Sequence, residues 1–122
     1  MKNAIVWADI PVTDMDRARA FYSAILGEDV PLMDGADGAA ALLPADQEGV
    51  GADLALGENQ VPSMTGATVY LSGGDDLSVV LDRVEGAGGR VLMPKTNMGE
   101  MIGNLAFFAD SEGNRIGLHS RD

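Results

Sequence analysis

The stretch Ala106-Phe107-Phe108-Ala109-Asp110-Ser111-Glu112-Gly113-Asn114-Arg115-Ile116-Gly117-Leu118-His119 decides how the rest of the chain is read. An apolar run stops at an Asp, four turn-forming residues follow, and an alternating run resumes. Asp110 can accept hydrogen bonds from N–H groups just beyond it, and Gly113 can take a positive φ, so the segment predicts a tight hairpin. The pattern recurs earlier, in Gln47-Glu48-Gly49-Val50-Gly51-Ala52-Asp53-Leu54-Ala55-Leu56. Glu48-Gly49 falls 64 positions before Glu112-Gly113, and Leu54 the same distance before Leu118. A similar spacing relates the two best helix candidates. The chain therefore reads as one small motif written twice, with any site expected between the copies.

Working outward, Ala4 to Ile10 alternates with period two and predicts a strand. Thr13-Asp14 marks a helix start, with Asp14 as cap and Asp16 at the positive end of the dipole. Met15, Ala18, Tyr22 and Ile25, with Phe21 beside them, form its sheet-facing side, and Gly27 ends it. Glu28 to Leu56 predicts three short strands, at about 28–33, 39–44 and 50–56. Gly57 to Met64 is linker-like and separates a first module, about 4–57, from a second, about 65–120, within one domain spanning 1–122. The second begins with a strand at Ala67–Ser72, followed by a helix burying Leu77, Val80, Leu81 and Val84, which Gly88-Gly89 ends. A strand at Arg90–Met93, a loop at Pro94–Gly103 and the closing hairpin complete β-α-β-β-β for the second time.

Composition narrows the function. The 122 residues suffice for one core without staples, and there is no cysteine, which excludes thiolate zinc sites, disulfides and cysteine nucleophiles. The formal charge of −11 argues against nucleic acid as a partner, since phosphate binding depends on Lys and Arg. Such a surface would attract a cationic small ligand; the plainer reading is that acidity keeps the protein soluble. No apolar run approaches membrane-spanning length and no signal-peptide pattern follows Met1, so a cytoplasmic protein without membrane partners is expected.

Ile10-Pro11-Val12-Thr13-Asp14-Met15-Asp16-Arg17-Ala18, then Phe21-Tyr22 and Leu26-Gly27, resembles the first module of the vicinal oxygen chelate superfamily, which includes glyoxalase I, extradiol dioxygenases and bleomycin-resistance proteins. Asp110-Ser111-Glu112-Gly113-Asn114 looks like its C-terminal Asp-Pro-Glu-Gly-Asn signature, with Ser in place of Pro. Asp75-Asp76-Leu77, Gly88-Gly89 and Pro94 fit the second module. The resemblance implies an α+β fold of two tandem βαβββ modules, each a curled mixed sheet with its helix on the convex face. It also implies a homodimer. Strand parity puts Val6, Ala8, Ile10, Leu54, Leu56, Val69, Leu71, Ile116 and Leu118 towards the helices. Trp7, Asp9, Asp53, Thr68, Tyr70, Arg115, Gly117 and His119 fall on the opposite face, polar enough to line a wet pocket.

Metal-using members of that superfamily place four ligands on the first and fourth strands of both modules. The matching positions here are Trp7, Asp53, Thr68 and Gly117, of which only Asp53 carries a good donor, so no metal and no other cofactor is expected. His119, the sole histidine, suits acid–base work, with Asp9 or Asp53 to orient it; a solvent-side histidine near the chain end is the plain alternative. Trp7 could stack on a planar or cationic ligand. Met98 and Met101, on the loop with Lys95, could form an adaptable apolar lid, and Lys95 could hold an anionic group. The leading expectation is a metal-independent protein that binds a small molecule between its modules. The alternatives are a lyase or isomerase resembling lactoylglutathione lyase, or a dioxygenase using Zn, Ni, Mn or Fe should the ligand register differ. A purely structural module would instead have a filled cavity face.

Overall fold

The computed structural model describes residues 3–122. Strands β1 (Trp7–Val12), β2 (Ala40–Leu42) and β3 (Gly51–Leu56) form one sheet in the order β1-β3-β2, with helix α1 (Met15–Leu26) between β1 and β2. Strands β4 (Val69–Ser72), β5 (Arg90–Asn97), β6 (Asn104–Ala109) and β7 (Arg115–Ser120) form the other in the order β4-β7-β6-β5, with helix α2 (Ser78–Val84) between β4 and β5. In each sheet the first strand pairs in parallel with the last, and the remaining pairs are antiparallel. This is an α+β arrangement of two mixed sheets, with no closed barrel among the described residues.

The closing hairpin forms for the reasons its residues supply. Asp110 Oδ1 accepts from the backbone N–H groups of Glu112 and Asn114 at 2.9 and 2.8 Å, and Gly113 takes φ 94°. Its earlier echo closes in the same way: Gly49 N donates to Asp46 O, as Gly113 N donates to Asp110 O. Helix α1 starts after Asp14, whose carboxylate accepts from the Arg17 N–H at 3.0 Å, and stops at Gly27, in the left-handed region at φ 70°.

One continuous core draws on both halves of the chain. Phe21, Tyr22, Ile25 and Leu54 pack with Phe108, Ile116 and Leu118, and Phe21 meets Tyr22 edge-on at 5.0 Å. The turn after β6 reaches across to the start of α1. There Glu112 accepts from the Thr13 and Asp14 N–H groups at 2.9 and 2.8 Å and pairs with Arg17 at 2.7 Å. The two amides leading into the first helix are thus satisfied by a carboxylate from the second half, set at the positive end of the helix dipole.

Several sequence expectations need correction. The strand predicted at 28–33 shrinks to a single bridge, Leu32 with Ala41. Pro31 has no N–H to give a ladder, and the chain turns immediately afterwards through Gly35, Asp37 and Gly38, all at positive φ. The first module therefore has three strands rather than four. The strand predicted at Ala4–Ile10 runs Trp7–Val12 instead, because β3 supplies partners only for those residues; Ile5 and Val6 are exposed. Strand Ala67–Ser72 starts at Val69. The predicted loop from Pro94 to Gly103 is a strand as far as Asn97: β5 lies at the edge of its sheet with register shifts, where a proline is tolerated. Among the expected helix-facing residues, Ile10, Leu54, Ile116 and Leu118 are buried, whereas Val6 and Leu56 are exposed.

Candidate functional site

β1 and β4 each lie at one edge of their sheets, and an open cleft of about 780 Å³ lies between them. Trp7, Ile5 and Val50 line one wall; Thr68, Tyr70 and Leu71 line the other. Two glycines shape these walls. Trp7 stands beside Gly51 in the β1–β3 register, and a Cβ on Gly51 would come within 2.6 Å of the indole. Tyr70 stands beside Gly117 in the β4–β7 register, with its ring over the space a Cβ would fill. Each aromatic ring is thus seated on bare backbone of the neighbouring strand. Tyr70 also meets Phe107 at 5.8 Å between ring centroids.

Polar groups are divided between the two sheets. On the first, Asp9 and Asp53 are side by side in register on adjacent parallel strands. Asp53 is 7% exposed, and its Oδ1 is buried without a hydrogen-bond partner. Burial first, then hydrogen bonding and charge repulsion from Asp9, push its pKa up to about 6, against the opposing pull of Trp7 and its own backbone N–H. Asp9 is exposed, and its other neighbour is Gln60, whose amide donates to Oδ2 at a long 3.4 Å. On the second sheet, the Arg115 guanidinium sits 3.9 Å from the Phe107 ring centroid and donates to Thr68 Oγ1 at 2.7 Å. A smaller hollow of about 220 Å³ has Asp9 and Arg115 among its lining residues, with Ser63 and Asn114.

The remaining candidates stand elsewhere. His119 Nε2 meets the Ile102 carbonyl, and Arg121 binds the carbonyls of Met101 and Glu100, so the end of β7 holds the turn before β6. No hydrogen bond joins His119 to Asp9 or Asp53. Lys95 pairs with Asp76 at 2.9 Å, and Met98 and Met101 are exposed on the turn, Met101 at 92%. The structure thus brings Trp7, Thr68 and Tyr70 to the cleft and joins Asp9 to Asp53. Arg115 joins Thr68 and lines the smaller hollow with Asp9, while Asp53, His119, Lys95, Met98 and Met101 line neither hollow. Gln60 and Phe107 lie outside the set to which the sequence points. Phe107 was findable, being opposite Gly117 in the hairpin; Gln60, in the linker, carries no local signal.

Of the four positions matching the metal ligands of related folds, Trp7 and Gly117 offer no ligand atom, and Thr68 Oγ1 is occupied by Arg115. The described residues contain no group of three or more His, Cys, Asp or Glu side chains placed to hold a metal. No helix among them is long and apolar enough to cross a membrane.

These features define a glyoxalase-type fold, and sequence comparison agrees. The profile of the Glyoxalase/Bleomycin resistance protein/Dioxygenase superfamily matches residues 4–118, and the chain belongs to that superfamily. Two mycobacterial proteins, from Mycobacterium bovis and Mycobacterium tuberculosis, each named "Putative glyoxylase CFP32", are 29% identical over 115 residues, covering 92% of this chain and 43% of theirs. The chain thus spans less than half the length of these curated relatives. Among solved structures, a glyoxalase/bleomycin resistance protein from Albidiferax ferrireducens superposes with a TM-score of 0.78 at 15% identity, covering 98% of this chain and all of that one. A glyoxalase/bleomycin resistance protein from a Streptomyces species gives 0.65 at 25% identity, over 96% of this chain and all of that one. A maize glyoxalase I variant gives 0.71 at 19% identity, with 96% of this chain matching 45% of it.

Proposed function

We propose that this chain binds a small organic molecule in the cleft between β1 and β4, without a divalent metal. The supporting observation is the cleft itself. It measures about 780 Å³, within the range of small-molecule sites, and two aromatic side chains line it on opposite walls. Trp7 and Tyr70 are 44% and 50% exposed, available to stack on a planar ligand from either side. Ile5 and Val50, also exposed, extend the apolar rim, and a second copy of the chain seated over this rim would make a homodimer with the cleft at its interface.

A second reading, a glyoxalase-like lyase, is favoured by the Asp9–Asp53 pair. Two adjoining carboxyl groups, one with a raised pKa, can hold and release a proton at a carbon next to a carbonyl. Trp7 is the only tryptophan, so its fluorescence reports on the cleft directly. Screening a library of planar and cationic small molecules by Trp7 emission and thermal shift, in chelator-treated protein, tests the main reading. Saturable binding unaffected by chelator supports it; recovery of binding or turnover only on adding nickel, zinc, manganese or iron(II) overturns it. Light scattering across a dilution series reads the dimer.

A further inference from the structure

We infer that the Asp9–Asp53 pair is a subsite for an ammonium group of the ligand, with Gln60 as its removable cover. The inference rests on the small-molecule reading: Asp9 lines the smaller hollow, two residues along β1 from Trp7 in the cleft, so the pair would meet one end of a ligand that reaches past Trp7. Three observations support it.

Asp53 is nine-tenths buried, yet its Oδ1 has no hydrogen-bond partner. A buried carboxylate oxygen left unpartnered is costly, and such a group persists where a donor arrives from outside. No positive side chain supplies one: within salt-bridge distance, the described residues place Arg17 on Glu112 and Lys95 on Asp76, and none on Asp9 or Asp53. Arg115, in the same hollow as Asp9, is committed to Thr68 and the Phe107 ring.

Access is through Asp9, which is exposed and in register with Asp53. Its one side-chain donor is the Gln60 amide at 3.4 Å, beyond the usual N–H···O range and from a linker residue outside any helix or strand. An amide at that length is a weak partner, and a primary ammonium bringing three donors would displace it. Trp7, two residues along the same strand and on the same face as Asp9, places an aromatic surface beside the pair, which favours a cation further. Two carboxyl groups with one ammonium between them satisfy both the orphaned oxygen and the mutual repulsion.

The probes are benzylamine and benzyl alcohol, equal in shape and differing in charge, titrated into the full chain at pH 7.5 with Trp7 emission and thermal midpoint as readouts. Benzylamine is expected to bind at least about tenfold more tightly than the alcohol, as charge-assisted hydrogen bonds require. Asp53→Asn and Asp9→Asn should each bring the amine's affinity down to that of the alcohol, while Gln60→Ala should tighten the amine. Equal binding of both probes to the wild type overturns the ammonium subsite and leaves the cleft reading standing. Binding of neither overturns both. Displacement of benzylamine by micromolar manganese(II) would make the pair a metal site and also overturn the inference.

Discussion

The indole of Trp7 lies against Gly51, its neighbour in the parallel β1–β3 register, so closely that a Cβ there would stand 2.6 Å from the ring. The same relation joins Tyr70 to Gly117 in the other sheet. In both halves a glycine on the last strand makes room for an aromatic ring on the first, so the duplicated fold builds the two walls of its cleft with one device.

Gly51→Ala tests that device. The methyl group would meet a rigid ring, so the indole must swing towards solvent. Because Trp7 is already half exposed, the stability cost should be modest, about 1 kcal/mol, at the low end of overpacking costs. The readout is Trp7 emission, expected to shift to the red with increased quenching by acrylamide. Unchanged emission would show that the ring does not rest on Gly51 in solution.

Asp53→Asn tests the carboxyl pair through stability. In the folded protein Asp53 keeps its proton up to about pH 6, whereas unfolded it ionises near its ordinary value of 3.8. The folded state therefore binds more protons between those values, and stability attributable to this group falls as pH rises from about 4 to about 6, then levels off. The asparagine variant should lose this slope. At pH 7.5 it should be more stable than the wild type by about 1 kcal/mol, since burial and Asp9 disfavour the ionised carboxyl while solvent screening tempers the cost. Urea titrations at pH 4.5 and 7.5 measure both effects, and a destabilised variant at pH 7.5 would contradict the orphaned-carboxylate picture.

Tyr22→Phe isolates the core polar contact. The Tyr22 hydroxyl donates to Asp110 Oδ2 at 2.5 Å in the buried interior, and Asn114 Nδ2 donates to the same oxygen at 2.9 Å. Losing the hydroxyl removes one hydrogen bond to a charged acceptor and leaves the other, so unfolding free energy should drop by about 1.5–3 kcal/mol. Near-ultraviolet circular dichroism should keep its native shape, since Phe21 and Phe108 still fill the core.

The parts of the fold legible in sequence are those whose requirements are local. Asp14 caps the next turn of chain, Gly27 takes the conformation that ends a helix, and Asp110 with Gly113 closes a turn within five residues. The unreadable parts depend on partners far away. Whether 28–33 becomes a strand depends on what β2 offers it, and Pro31 withholds the donor that would extend the ladder. β5 continues through Pro94 because it lies at an edge, which depends on sheet order. At the site, strand parity suffices to place Trp7, Asp9 and Asp53 on one face. It does not say how far along that face a side chain stands, so His119 and Lys95, grouped with the cavity in sequence, lie with the turn before β6 and with Asp76. Gln60 is invisible for a related reason: nothing in a linker residue announces which carboxylate it will cover.

Glu112 carries the longest-range consequence of the closing hairpin. Its carboxylate is enclosed, accepts from the Thr13 and Asp14 N–H groups and pairs with Arg17, all at the start of α1. Burial alone would raise its pKa; the Arg17 hydrogen bond and the two helix-end amides outweigh it and hold the carboxyl at about 2. A depressed acid stabilises the fold above its unfolded value, and that contribution is lost as pH falls from about 4.5 towards 2. Glu112→Ala should therefore cost about 2 kcal/mol at neutral pH, as expected for a lost pairing with Arg17 together with two unpartnered amides. The difference between variant and wild type should narrow steadily below pH 4. Glu112→Gln, which retains an acceptor for the amides but loses the charge facing Arg17 and the helix dipole, should fall between the two. Exchange of the Arg17 and Ala18 amides, measured site by site, should accelerate most in Glu112→Ala, because fraying at the start of α1 follows directly from losing this carboxylate.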